Sequence, residues 1–229
     1  MIISGFQKLT LVDYPGHTAC IIFTQGCNFK CPFCHNASLV INPEGVECIS
    51  EEEFFSYISK RSKMFDGVCV TGGEPLLNPD IEEFIKKIKA YGLLVKLDTN
   101  GSLPERLENL LDKKLIDYVA MDIKNSKQKY ALTSGVKFFP SGVEKSVEII
   151  MQKAPDYEFR TTVVRELHDA QDIIDIAHWI NGAKKYYLQS YVDSGDTIES
   201  GFSAYSPSEM QKILDLTREI LPVTALRGI

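Results

Sequence analysis

Six short apolar runs limit most strongly what this chain can fold into: TACIIFT (18–24), GVCVT (67–71), LLVKLD (93–98), DYVAMD (117–122), EFRTTVV (158–164) and YYLQS (186–190). Runs so brief and so continuously apolar suit strands buried on both faces, as in a parallel sheet. Helical segments lie between them. Ser50 and Glu53 have capping-box spacing ahead of Phe54, Phe55 and Ile58. Ile81, Phe84, Ile85 and Ile88 fall on one helical face, with Glu82–Lys86 and Glu83–Lys87 as outward pairs. Asp169 with Asp172 opens another helix, and Ser206-Pro207-Ser208-Glu209 opens the last. No repeat, low-complexity tract or dividing linker interrupts this alternation. Residues 1–229 therefore read as one α/β domain, a parallel sheet curved into a partial (β/α)6 barrel. Six strands rather than eight would leave such a barrel open on one side.

Composition narrows the setting. With 229 residues, 44% of them hydrophobic, the chain can bury a full core without disulfide staples. A net charge of −6 with no basic block argues against nucleic acid or an anionic membrane as the main partner. The first residues, MIISGFQKLTLVDYPG, lack the basic-then-apolar pattern of a secretory signal. Six cysteines in that context point to a reducing cytoplasm, where cysteine clusters mean metal or catalysis. Cys20 and Cys69 lie within apolar strands and read as small hydrophobes, and Cys48 stands alone.

The unusual polar residues gather at the carboxyl ends of successive strands. Thr24 leads into a cysteine loop, Thr71 into Gly72-Gly73-Glu74-Pro75, and Asp98 into Thr99-Asn100-Gly101. Asp122 precedes Lys124, Arg160 lies within the fifth run, and Gln189 nearly ends the sixth. In parallel β/α architectures ligands bind at that end, because loops from several strands converge there.

The loop TQGCNFKCPFCHNAS places Cys27, Cys31 and Cys34 within eight residues. Three thiolates can hold three irons of a cubane cluster and leave the fourth iron open as a binding position. The competing reading is a zinc loop completed by His35 or a distant cysteine. Adjacent Cys34 and His35 are awkwardly spaced for two ligands, and no second Cys-x2-Cys exists.

The Cys-x3-Cys-x2-Cys pattern, with Phe33 before the last cysteine, resembles the cluster loop of the radical S-adenosylmethionine superfamily. The stretch LVDYPGHTACIIFTQGCNFKCPFCHN resembles the opening of anaerobic ribonucleoside-triphosphate reductase activating proteins. The similarity continues through TGGEPLL, LDTNG, DYVAMDIK, FRTTVV and YLQSY, and so covers residues 11–191. The resemblance implies a [4Fe–4S] cluster on the three cysteines and S-adenosylmethionine on the open iron. An electron would cleave the sulfonium to a 5′-deoxyadenosyl radical, which would take a hydrogen from one glycine of a glycyl-radical enzyme.

It also implies roles for individual residues. Phe33, His35, Gly72, Gly73, Glu74, Asp98, Asn100, Lys124 and Gln189 would serve the cofactor, and Asp13 and Arg160 the reaction at the partner's glycine. The two glycines would let the methionine end of the cofactor approach the backbone. Asp98, Thr99 and Asp122 could offer oxygen ligands to the monovalent cation that some activases hold. A flavodoxin or ferredoxin would donate the electron. Ser190, where proline is expected, and Val192, near where some activases place a histidine, depart from the pattern. Two other readings stay open: an enzyme of the same superfamily acting on a small molecule such as a deazapurine precursor, and a non-catalytic iron–sulfur electron carrier.

Overall fold

In the computed structural model, which describes residues 1–228, a single eight-stranded sheet runs in the order β1 to β8. The strands are β1 (Ile3–Thr10), β2 (Ala19–Thr24), β3 (Gly67–Gly72), β4 (Leu94–Thr99), β5 (Tyr118–Asp122), β6 (Asp156–Val163), β7 (Tyr186–Ser190) and β8 (Thr224–Arg227). Neighbours from β2 to β8 pair in parallel, while β1 runs antiparallel to β2. Strands β2 to β7 are the six apolar runs of the sequence. The other two correct the count. β1 reads ISGFQKLT and buries few of its residues, and β8 is only four residues long. Since β1 and β8 are the sheet's two edges, the open side lies between them.

The outer face of the sheet carries the main core. Ile22, Val70, Leu97, Met121, Phe159 and Leu188 alternate outward and are fully buried. Each such side chain contributes roughly 1.5–3 kcal/mol relative to exposure. The covering helices are α1 (Ala37–Ile41), α2 (Glu51–Arg61), α3 (Ile81–Ala90), α4 (Pro104–Asp112), α5 (Tyr130–Ser134), α6 (Gly142–Lys153), α7 (Ala170–Trp179) and α8 (Pro207–Arg218). Reciprocal capping boxes start α7 and α8, as the spacing of Asp169 with Asp172 and of Ser206 with Glu209 implies. Ser50 caps α2 through the Glu53 amide. One surface pair differs from expectation. Lys86 takes both Glu82 and Glu83, whereas Lys87 reaches across to Glu51 of α2 at 2.7 Å.

The inner face has two tiers. Its lower tier, at the amino ends of the strands, is a small apolar cluster of Tyr14, Ala19, Ile21, Cys69, Tyr118 and Ala120. Tyr14 is 2% exposed and stands edge-on to Tyr118, with ring centroids 5.9 Å apart. This plug confines open space to the carboxyl ends. Tyr14→Ala should leave a cavity that neighbours on three strands cannot fill, and cost about 3 kcal/mol. Urea denaturation of the apoprotein measures the loss directly.

Candidate active site

Above the plug, a cavity of about 380 Å³ opens at the carboxyl ends of the strands. That volume is in the range of small-molecule sites. Its wall brings together Cys27, Cys31 and Cys34, with Phe33 and His35 from the same loop. Gly72, Gly73, Asp98 and Asn100 line it from β3 and β4, and Lys124, Arg160 and Gln189 from β5 to β7. Asp13 reaches it from the β1–β2 turn, where its carboxylate accepts a hydrogen bond from the Thr10 hydroxyl. Of the residues expected to hold the cluster, serve the cofactor or act in the reaction, Glu74 alone lies off this wall. Phe29, Asn36, Val40 and Thr162 belong to it as well, although the sequence assigned them no role.

The cysteine loop and the Gly-Gly turn are locked together by backbone contacts. Gly73 N–H donates to the Thr24 carbonyl at 2.9 Å, and Glu74 N–H to the Gly26 carbonyl at 2.8 Å. The Asn36 amide adds a hydrogen bond to the Gly72 carbonyl at 3.0 Å. A Cβ on Gly73 would overlap the Gly26 carbonyl, and one on Gly72, at φ +116°, would overlap Thr24. The glycines are thus required first by the protein's own backbone. Both also line the cavity, so their exposed backbone faces the open space as well.

Glu74 explains how the next loop is held. Its fully buried carboxylate accepts from Asn100 N–H at 2.7 Å, the Thr99 hydroxyl at 2.9 Å and Leu76 N–H at 3.1 Å. Burial pushes this carboxyl up to about 7, and the three donated hydrogen bonds oppose the shift. Asn100, fixed in this way, directs its side-chain amide to Asn28 at 3.0 Å and to the Cys27 sulfur at 3.6 Å. Phe29 N–H also meets that sulfur, at 3.4 Å. Burial raises the Cys27 and Cys31 thiols, Cys31 to about 12, with Lys124 opposing both. Loading a metal cluster must therefore displace protons.

A row of charges crosses the inner face. Arg160 donates through Nε to Asp122 at 2.9 Å and through a terminal nitrogen to Asp98 at 3.3 Å. Lys96 pairs with Asp98 from below, and Lys124 pairs with Asp122 at 3.1 Å. Burial would raise both carboxyls, but Arg160 and the neighbouring lysines hold them below the usual range. Of the three cations, Lys124 and Arg160 reach the cavity, which the Asp13, Asp98 and Asp122 carboxylates also line, while Lys96 stays beneath it. This bears on the expected monovalent cation. Asp98 and Asp122 are already matched by side-chain cations, and the Thr99 hydroxyl is spent on Glu74, so the three do not form a free ligand set. Among the described residues, no three His, Cys, Asp or Glu side chains converge on a single-ion position.

Supports that the sequence did not suggest surround the site. His168 meets the Lys124 carbonyl at 2.8 Å. The segment after β7 lies over the cysteine loop: Tyr191 packs against the His35 ring at 5.4 Å, Asp196 accepts from the Ser38 hydroxyl at 2.8 Å, and Glu199 N–H donates to the Pro32 carbonyl at 2.8 Å.

Comparison with known proteins agrees with this geometry. Residues 21–183 match the model of the Radical SAM superfamily. A Methanocaldococcus jannaschii protein, provisionally named a glycyl-radical enzyme activating enzyme, is 36% identical over 197 residues, which cover 83% of this chain and 80% of that one. The pyruvate formate-lyase-activating enzyme of Clostridium pasteurianum is 33% identical over 128 residues, 54% of this chain and 52% of that one. Among solved structures, Streptococcus suis SuiB bound to its precursor peptide SuiA superimposes with a TM-score of 0.72 at 17% identity, covering 91% of this chain and 48% of that one. This chain thus spans about half the length of the last two. The chain belongs to the radical S-adenosylmethionine superfamily and is of the glycyl-radical-activase type within it. It is an oxidoreductase-type enzyme whose cofactors are a [4Fe–4S] cluster and S-adenosylmethionine. The donor set suits them: three thiols on one wall, the Lys124 and Arg160 cations on the same cavity, and open space between.

Two substitutions test the construction. Gly73→Val should displace the cysteine loop, so iron content after anaerobic reconstitution should fall together with cofactor affinity. Arg160→Met should leave Asp98 and Asp122 short of their shared cation and cost about 3–5 kcal/mol, read by denaturant titration.

Proposed function

We propose that the chain activates an anaerobic ribonucleoside-triphosphate reductase by drawing a hydrogen atom from one of its glycines. The reading rests above all on the cavity, which sets three cysteines opposite Asp13 and Arg160 in a sheet open between β1 and β8. A polypeptide segment, unlike a small metabolite, needs such a lateral entrance. Leu11 and Val12, 68% and 83% exposed, directly precede Asp13 in the chain and offer apolar contact to a protein surface. The activating-enzyme relatives and the similarity over residues 11–191 support a glycyl-radical partner.

In this reading Cys27, Cys31 and Cys34 each hold one iron of the cluster. Gly72, Gly73, Asn100, Lys124 and Gln189 surround S-adenosylmethionine, with Phe33 and His35 closing the cluster side. Glu74 and Asp98 act from behind by fixing the Thr99–Asn100 turn and Arg160. When bound, the reduced cluster supplies one electron that cleaves the cofactor to methionine and a 5′-deoxyadenosyl radical. The chain's own task is positioning. The target Cα–H must lie in near contact with the cofactor, and Asp13 and Arg160 offer polar groups to an extended backbone. Transfer of that hydrogen would leave 5′-deoxyadenosine and a glycyl radical, with no other atom gained or lost.

Electron spin resonance tests this. Reconstituted protein with reductant, S-adenosylmethionine and anaerobic reductase should give a glycyl radical and a matching amount of 5′-deoxyadenosine, and Cys27→Ala should give neither. Product formation stimulated by a small heterocycle but by no reductase would move the chain to small-molecule chemistry.

A further inference from the structure

The activation reaction needs an electron from outside the chain, and one surface beside the cysteine loop is built to receive its carrier. Lys30, between Cys27 and Cys31, donates its backbone N–H to the Ser134 carbonyl at the end of α5 at 2.9 Å. Gly135 follows in the left-handed region, at φ +67°, so close to Lys30 that a Cβ there would overlap the Lys30 carbonyl. Val136 N–H folds back onto the Ala131 carbonyl at 3.0 Å. Helix α5 and the turn after it are therefore fastened to the cysteine loop through the main chain.

This unit exposes apolar surface where a free-standing protein would bury it. Leu132 is 66% exposed and Phe138 is 81% exposed. Its charge is one-sided as well. From residue 124 to residue 143 there are four lysines and no acidic residue, in a chain whose net charge is −6. Lys124, Lys127 and Lys129 are engaged by Asp122, Glu144, Asp169 and Asp172, which leaves Lys137 of the four. Among the described residues, Lys30 and Lys137 enter no ion pair and both are exposed. Apolar anchors beside unpaired cations complement an acidic surface with an apolar centre.

We infer that the α5 turn, with Lys30, Leu132, Lys137 and Phe138, is the docking surface for a small acidic one-electron carrier protein that reduces the cluster. The carrier loses one electron and the cluster gains one. The surface is fastened to the cysteine loop at Lys30, and Leu132, Lys137 and Phe138 do not line the cavity. The inference rests on the cofactor reading given above, but not on the identity of the glycyl-radical partner.

Stopped-flow absorbance tests it on the cluster-loaded full chain, with neither S-adenosylmethionine nor reductase present. Reduction by a reduced acidic flavodoxin is compared with reduction by dithionite, and the ratio of the two rates is the readout. For the unaltered chain the flavodoxin rate should fall steeply with added salt. Lys137→Glu combined with Phe138→Ser should lower the ratio about tenfold or more at low ionic strength, and Lys30→Gln should lower it less. A ratio unchanged in both variants overturns the inference, whatever happens to the separate rates. So does an unchanged ratio accompanied by weaker dithionite-driven activation of the reductase, which would assign the patch to that partner. Failure of the cofactor reading shows separately, as missing cluster absorbance before any donor is added.

Discussion

The site depends on one backbone contact, the passage of the Gly72-Gly73 turn against Thr24 and Gly26. Everything the cavity offers is arranged from it. The cysteine loop would otherwise be an irregular excursion of more than ten residues, with many orphaned amides and carbonyls. Instead, the end of β3 supplies partners for its first residues, and the adjacent Glu74 reaches sideways to fix the end of β4. Cluster loop, Gly-Gly turn and Asn100 turn thus form one rigid edge, in which moving any member moves the cysteines.

The charge row is the second organising element. Five ionisable groups from β4, β5, β6 and the residues just after β5 share a partly buried surface that no single pair could occupy cheaply. Alternation of carboxylate and cation lets each group face an opposite charge, and Lys124 and Arg160 bring cations to the cavity that the cysteines line. Below it, Glu158 forms a two-pronged pair with Arg227 at 2.7 and 3.0 Å and accepts from the Tyr118 hydroxyl, which ties the last strand to the centre of the sheet.

Much of this was legible in the sequence, for physical reasons. Buried parallel strands must be continuously apolar, so β2 to β7 announce themselves, and strand-end chemistry follows from where ligands can reach a parallel sheet. β1 escaped because an edge strand facing solvent needs no apolar run, and β8 because four residues carry too little pattern. Glu74 invited a ligand role through its place beside two glycines. Only the fold reveals that its carboxylate turns inward, to residues 25 and 26 positions away. The covering segment around Asp196 was equally silent, since its partner Ser38 lies 158 positions distant. Local spacing reports strands, caps and turns; it says nothing about which distant residues will meet.

The gap between β1 and β8 has a mechanical meaning as well as a geometric one. In a closed barrel the radius is fixed by strand number and stagger, and cannot change unless ladder hydrogen bonds break. An open sheet carries no such hoop constraint. Small additions of twist, shared among seven strand pairs, widen or narrow the mouth while every backbone hydrogen bond is kept. β1 forms one margin of that mouth and β8 the other, so its width follows from the curvature of the sheet between them.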